Sequence, residues 1–218
     1  MDSATRNVSG VIARLKRLFA PDSLTSKYRH ELFHVGPVYH RVLPASTSRL
    51  LVMDADLRFH ADVADLYQEF NQFSTTELMA LAPEMSPLYF ASFSKHRRTF
   101  GSKLGLHDSY PGLNSGIVLY HLTNMRTSAE YNALLDSEGA LEELCDQYGH
   151  YRGAKVGDQD LFTLLGAARP DWVRMLDCGW NVQLDESMKT HPMFDLYHQC
   201  NSDVKLLHGN GGSIIPEM

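Results

Sequence analysis

The sequence has no apolar run that approaches the roughly 20 residues a membrane-spanning helix needs. Its opening stretch, Met1 to Ala20, is broken by Arg6, Arg14, Lys16 and Arg17, so neither a span nor an export signal is written in these residues. Positive charge is also short. Lys and Arg number 20 against 26 Asp and Glu, a net of −6, so no overall field draws a phosphate backbone or an anionic membrane, and nucleic acid is not an expected partner. Cysteines number three, with neither a CxxC pair nor a dense even framework, and so say little about compartment. Internal repeats, low-complexity tracts and long linkers are missing too. What remains is an ordinary globular composition, 44% hydrophobic and 21% charged over 218 residues, expected to form one domain over residues 1–218 with a sizeable core.

Val11 to Phe19 has helical spacing, with Val11, Ile12, Leu15, Leu18 and Phe19 apolar. Gly36-Pro37 interrupts a second helical stretch that Pro44 ends. Leu50-Leu51-Val52-Met53 is a short apolar run bracketed by charge, which suits a buried strand of a parallel sheet. Asp62 caps an expected helix through Phe70. Leu78 to Ala82 is a further apolar run, and Pro83 to Gly112 reads as irregular, long for a structureless connection and therefore suspect as functional. Gly116 to Leu122 reads as another buried strand. Helical patterns follow at Ser128 to Leu135, Leu141 to Tyr148 and Gln159 to Leu165, then short apolar runs at Val173 to Leu176 and Val204 to Leu207. Such alternation predicts an α/β sheet with helices on both faces, in which ligands gather at the carboxyl ends of strands.

The sharpest local feature is Asp54-Ala55-Asp56 directly after a predicted strand. Along extended backbone, side chains two apart point the same way, so both carboxylates can grip one cation from one side; a solvated turn explains the same residues without chemistry. His208, in Leu206-Leu207-His208-Gly209-Asn210-Gly211-Gly212, also ends an apolar run and is placed to add a ligand. Hard oxygens suit Mg²⁺ or Mn²⁺, and an imidazole moves the preference toward Mn²⁺. Asp158 and Asp160 open the helix after Gly157, where a cap and a favourable helix dipole account for both; Gln159 has no such account. Asn114-Ser115, just before a predicted strand, is either a turn or a hydrogen-bonding shelf for a hydroxylated ligand. Cys145 fits a small buried hydrophobe on a helix. Cys178 and Cys200 are able to pair, but their separation along the chain says nothing of their distance in space.

Taken together, Leu50 to Asp56, Gly112-Leu113-Asn114-Ser115-Gly116, Gly153 with Gly157 to Thr163, Leu176-Asp177-Cys178 with Trp180-Asn181, and His208-Gly209-Asn210 ending in Ile215-Pro216-Glu217 resemble the glycogenin-like retaining glycosyltransferases. The match is to the xyloside α-1,3-xylosyltransferase branch of that family. The resemblance covers nearly the whole chain. It implies a GT-A fold with a mixed, mostly parallel sheet, and Mn²⁺ (Mg²⁺ as the alternative) held by Asp54, Asp56 and His208. It also implies a UDP-sugar donor held by Asn114, Ser115, Asp158, Gln159, Gly209 and Asn210, with Gln159 and Asp158 at the reacting carbon. For this branch it implies UDP-xylose as donor and, as acceptor, the xylose of a Xyl-Glc O-glycan on epidermal growth factor-like repeats of Notch-type proteins in the endoplasmic reticulum.

Two departures bear on this expectation. Many family members place a Lys shortly after the His-Gly pair, whereas Gly211, Gly212 and Ser213 follow Asn210 here, as in the xyloside branch alone. Family catalytic domains also begin with a strand and helix well upstream of the paired aspartates, and Asp54 comes too early for them. The expectation is therefore a chain lacking the first βα unit and the membrane anchor, with one sheet edge unpaired. By resemblance Cys178 and Cys200 form a disulfide of an oxidising lumen, while Asp185 and Gly211 stand where a second pair is expected. A Mg²⁺-dependent phosphohydrolase of the haloacid dehalogenase type also puts DxD after a strand, but Leu57 follows Asp56 where that family wants a small residue, and Asn114 and His208 gain no role in it. An inactive sugar-binding module is the third reading, and a neighbouring donor specificity, glucoside xylosylation or glucosyl transfer, is the nearest variant of the first. Met85 to Tyr110, with Tyr89, Phe90, Phe93, His96, Arg97, Arg98 and Phe100, is either an acceptor wall of aromatics and arginines or a surface loop anchored by its aromatics. Trp180 fits a core or acceptor-wall position rather than a catalytic one.

Overall fold

The computed structural model describes residues 3–149 and 155–217; Gly153 of the matched motif lies outside them. In chain order the elements are α1 (Ser3–Phe19), α2 (Tyr39–Val42), β1 (Leu50–Met53), β2 (Leu57–Phe59), α3 (Val63–Gln68), β3 (Met79–Pro83), α4 (Ser94–Phe100), β4 (Leu113–Tyr120), α5 (Leu122–Thr127), α6 (Ala129–Asp136), α7 (Ala140–Tyr148), α8 (Asp158–Ala168), β5 (Val173–Met175), β6 (Val182–Gln183), α9 (Phe194–Tyr197) and β7 (Leu206–His208). Short 3₁₀ turns join several of them. Asp62 caps α3 as its sequence predicts, its Oδ1 accepting the Ala64 N–H at 2.8 Å.

The main sheet has the order β1-β4-β3-β5. Its two faces follow the two-residue period of the strands. Met79, Leu81, Val118 and Tyr120 pack with α1, α7 and α8 through Leu15, Cys145 and Phe162, while Ala80, Ala82, Ile117 and Leu119 pack with Leu66 of α3 and with Trp180. Both faces are therefore dry, which is why these strands read as continuous apolar runs rather than alternating ones. Cys145 and Trp180 are core residues. β1 pairs with β4 alone among the described residues, and its residues are half-buried or exposed, as befits an edge.

The sheet is mixed, but not mostly parallel in its pairings. β1, β3 and β5 run one way and β4 runs against them, so β1/β4 and β3/β4 are antiparallel and only β3/β5 is parallel. The cause is the connection between β3 and β4. Pro83 pairs with Leu113, so the chain leaves and rejoins the sheet at the same end, and without a crossover to the other end the next strand must be antiparallel. That connection is not structureless, since it carries α4 and a 3₁₀ turn at Pro87–Tyr89.

A second sheet, β2-β7-β6, is small and had no sequence signal beyond β7. β2 is antiparallel to β7, and β7 is parallel to β6. It lies next in sequence to the paired aspartates and ends in His208, and so it builds the site.

Candidate active site

Asp54, Ala55 and Asp56 form the bend between β1 and β2 rather than extended strand. The backbone nevertheless fixes both ends of the bend. Asp54 donates its N–H to the Gly116 carbonyl at 2.9 Å, and the Asp56 carbonyl accepts the Gly209 N–H at 2.8 Å. Leu57, next to Asp56, pairs with His208 across β2 and β7. Register alone thus carries the imidazole to the carboxylates. His208 Nε2 stands 3.5 Å from both Asp54 Oδ2 and Asp56 Oδ1, and one donor atom from each residue lies within 4.8 Å of the others.

The two carboxyls are about half exposed (56% and 49%) and the imidazole is 3% exposed. These residues fit a divalent ion. Neighbouring ligands of an octahedral ion with bonds of ~2.1 Å lie ~3 Å apart, so the observed 3.5 Å needs only a small contraction. The other ring nitrogen is engaged as metal-binding histidines require, Nδ1 facing Asn181 Oδ1 at 2.9 Å. Two hard oxygens with one imidazole suit Mn²⁺ best and Mg²⁺ next. His208 has room only because residue 116 is glycine: a Cβ there would sit 2.2 Å from His208 Cε1.

Asn114 and Ser115 lie inside β4 rather than before it. A bulge accounts for their exposure to the site. The register with β3 jumps from Leu81↔Val118 to Ala82↔Asn114, so Ser115, Gly116 and Ile117 have no partner on β3; Gly116 lies against the His208 ring and Ser115 meets Gln159, a usual use of bulges beside active sites. Gln159 comes from the first turn of α8 and is buried. Its Oε1 accepts the Ser115 N–H at 3.0 Å, and its Nε2 donates to Glu84 Oε2 at 3.3 Å and to the Tyr89 hydroxyl at 3.2 Å. The amide oxygen is thus held against the β4 bulge.

The helix cap itself is Gly157, at φ +77°, and not Asp158. The carbonyl and Cβ of Phe33 crowd the space where a side chain would start, which with the positive φ makes glycine the residue that fits. Asp158 is therefore the first residue of α8. Burial, and then the charge of Asp54, push its carboxyl up to about 8. Asn210 accepts the N–H groups of Leu184 and Asp185 at 3.0 Å each through Oδ1, so its side-chain oxygen braces the loop after β6. Asp185 lies against Gly211, where a Cβ would meet its Cγ at 2.6 Å, so the two positions without cysteine are neighbours in space. Cys178 and Cys200 are joined by a disulfide with Cα atoms 5.7 Å apart.

The 85–110 segment divides. Tyr89 and Phe93 are fully buried, so they stand behind the site and are not a wall facing an acceptor. Arg97 is spent within the segment, donating to Leu104 and Phe90 carbonyls at 2.7 and 2.6 Å and lying over the Phe90 ring, while the His96 ring stacks on Tyr148. Arg98 and Phe100 remain exposed.

Asp160, buried on the same turn of α8, accepts the Tyr89 hydroxyl at 3.1 Å and the Val156 N–H at 2.8 Å. Burial raises its carboxyl to about 8 against these bonds, which lower it. A folded-state value above the unfolded one means the folded protein holds that proton more tightly. The resulting stability is complete at low pH and is lost as pH rises through about 8. The melting temperature should therefore fall by several degrees between pH 6 and pH 9, and Asp160→Asn should fall less over that interval; parallel declines in the two proteins would show that Asp160 is not responsible.

No protein-family model matches this chain. It is 33% identical over 214 residues to mouse xyloside xylosyltransferase 1, covering 95% of this chain and 53% of that protein, and 34% identical over 200 residues to the human form, covering 89% and 50%. The crystal structure of the mouse enzyme in its apo form superposes with a TM-score of 0.86 at 29% identity, over 98% of this chain and 75% of that one. The chain is homologous to the xyloside xylosyltransferases. Mouse glucoside xylosyltransferase 2 is 31% identical over 215 residues, covering 88% of this chain and 46% of the other. A galactosyltransferase, LgtC, solved with donor and acceptor sugar analogues, shares the fold at a TM-score of 0.54 and 15% identity, over 90% of this chain and 64% of that one. The fold is thus the glycosyltransferase GT-A fold and not that of the haloacid dehalogenases. The chain spans about half the length of the curated relatives it matches. Among the described residues no helix is long and apolar enough to cross a membrane.

Sequence reasoning passed over four residues of this candidate site. Glu84 and Asn181 are buried polar groups bonded to its members. Gly116 makes room for His208. Tyr28 comes from the 3₁₀ turn at Lys27–Arg29; burial and then the charges of Asp54, Asp160, Glu84 and Asp185 raise its hydroxyl, so the hydroxyl feels the charge of the site's carboxylates. Of these only Asn181 and Gly116 carried any signal, as parts of the matched motifs.

Proposed function

We propose that this chain transfers xylose from UDP-xylose, with retention, to the xylose of a Xyl-Glc O-glycan on epidermal growth factor-like repeats, as Notch-type proteins carry, using Mn²⁺. The observation that supports this most is the meeting of Asp54, Asp56 and His208 beside Gln159 in a chain homologous to xyloside xylosyltransferases.

In this reading Asp54, Asp56 and His208 hold the cation, and Gly209 and Asn210 lie along the diphosphate. Asn114, Ser115 and Asp158 surround the donor sugar with Gln159. The bound cation stabilises the negative charge that develops on the departing diphosphate. The bond from the anomeric carbon to diphosphate oxygen breaks, the acceptor hydroxyl forms its bond on the same face, and its proton passes to the diphosphate. Gln159 serves the positively charged sugar as a fixed dipole. Because Ser115, Glu84 and Tyr89 hold both ends of its amide, no reorientation is needed as charge develops. An oxidising lumen such as that of the endoplasmic reticulum suits the Cys178–Cys200 disulfide, and any membrane attachment would lie outside these residues.

The test is a donor screen with UDP-xylose, UDP-glucose and UDP-galactose on a Xyl-Glc acceptor, with and without Mn²⁺. Transfer from UDP-xylose that requires Mn²⁺ is the expected result. Preference for another donor or for a bare glucoside acceptor would replace the specificity, and UDP binding without transfer would make the chain a sugar-binding module. In the same assay Gln159→Ala should cut turnover about 10²-fold or more, the cost of losing a preorganised dipole, while UDP affinity changes little. Unchanged turnover would remove Gln159 from the catalytic set.

A further inference from the structure

The side chains behind His208 form a hydrogen-bonded row with one direction. It starts at Glu84, the residue after β3, which is buried. Glu84 Oε1 accepts the Ser86 hydroxyl at 2.7 Å, and Oε2 accepts from Asn114 Nδ2 at 3.0 Å as well as from Gln159 Nε2. An acceptor oxygen makes the neighbouring amides turn their NH₂ groups toward it. The oxygen of Asn114 then points the other way. It accepts the backbone N–H of Gly116 at 3.0 Å, which can only donate, and Asn181 Nδ2 at 2.9 Å. Asn181 has its NH₂ turned to Asn114, so it presents Oδ1 to His208 Nδ1 at 2.9 Å. An acceptor opposite Nδ1 requires the proton to sit there. The neutral ring then keeps its lone pair on Nε2, the atom that faces Asp54 and Asp56.

We propose that Asn181 is a positioning residue of the metal site, holding His208 in the tautomer that can bind a cation through Nε2, and that Glu84 and Asn114 act through it by fixing the direction of its amide. The inference rests on the metal reading of Asp54, Asp56 and His208. Its physical content is the order of donors and acceptors, which the Gly116 N–H and the Glu84 oxygen set in agreement from independent positions. Asn114, Asn181 and His208 are all buried, so water does not offer an alternative partner that would relax the order. The geometry also gives Glu84 a role without contact to a substrate: it orients Asn114 and Gln159 from one oxygen, coupling the metal side of the site to the sugar side.

Two readouts test this, neither of which is turnover. In metal-free protein at pH 8.5, long-range ¹⁵N–¹H correlation on labelled histidine should find the His208 proton on Nδ1. Finding it on Nε2 would overturn the proposal without any variant. The second readout is affinity for Mn²⁺ alone, followed by electron paramagnetic resonance. Asn181→Leu should weaken it about 10- to 100-fold, the usual cost of losing a partner of a ligating histidine, and leave His208 as a tautomer mixture. Asn181→Asp keeps an acceptor opposite Nδ1 and should keep the His208 proton there, although it loses the donor to Asn114 Oδ1. Glu84→Met should weaken Mn²⁺ binding in the wild-type background but not in the Asn181→Asp background, because an aspartate accepts whichever way Asn114 faces. Wild-type affinity in folded Asn181→Leu, or a His208 proton on Nε2 in folded Asn181→Asp, would overturn the proposal. If the wild-type protein fails to bind Mn²⁺, the metal reading falls, and the tautomer measurement still decides the relay by itself.

Discussion

Asp56→Asn should abolish measurable Mn²⁺ binding and lower sugar transfer by about 10³-fold, with the fold unchanged. The reason lies in what each part of the residue does. Its backbone carbonyl makes the structural bond, to the Gly209 N–H, and an asparagine keeps that bond. Its carboxyl is half exposed and faces the His208 ring, so it supports little packing. In the proposed function, removing one of two negative ligands takes away a share of the several kcal/mol that a bound cation would contribute to a transition state with charge on the leaving group, and each ~1.4 kcal/mol is tenfold in rate. Asp54→Asn should behave in the same way. The check is a Mn²⁺ titration alongside transfer kinetics and a melting curve. Transfer near the wild-type rate by a variant that no longer binds Mn²⁺ would refute the assignment.

Gly116→Ala should be as damaging to the metal site, by a steric route. The added methyl would lie 2.2 Å from His208 Cε1 and 2.5 Å from Nδ1, well inside van der Waals contact. The ring cannot slide back, because Asn181 stands opposite Nδ1 and the strand position of His208 is fixed by pairing with Leu57. Either the ring moves away from Asp54 and Asp56, or the β4 bulge opens. Forcing one methyl into a packed site costs about 1–3 kcal/mol, and for a chain of this size each kcal/mol is worth about 2–4 °C of melting temperature. The expected result is a melting temperature lowered by several degrees together with a fall of at least tenfold in Mn²⁺ affinity. Unaltered affinity would mean that the His208 ring does not occupy the place described here when the metal binds.

These two variants mark different depths of legibility. The paired aspartates stand three residues apart at most from a strand end and are visible as a local motif. The need for glycine at 116 has no local sign, since the atom it must avoid belongs to a residue 92 positions later in the chain (208 − 116). Glu84 illustrates the same limit. A lone glutamate after an apolar run reads as a surface charge, and only the approach of β4 and α8 around it makes it a buried acceptor for two amides.

The helices at α1, α3, α6, α7 and α8 were legible because each shows its apolar face at three- and four-residue spacing and, at α3, its cap. The cores of β1, β3 and β4 were legible as short apolar runs, because a sheet covered on both faces tolerates no polar alternation. The direction of β4 was not, since strand direction depends on where the preceding connection returns to the sheet, and a run of residues looks the same read either way. β2 and β6 were not legible either. Three and two residues long, they hold their shape through pairing with β7 rather than through any pattern of their own. The sequence by itself therefore determined the α/β class, the core-facing residues and the chemical types available at the candidate site. The tertiary structure decided which of them meet, because distances between side chains far apart in the chain are set by strand register, and register is a property of pairs of strands rather than of either one alone.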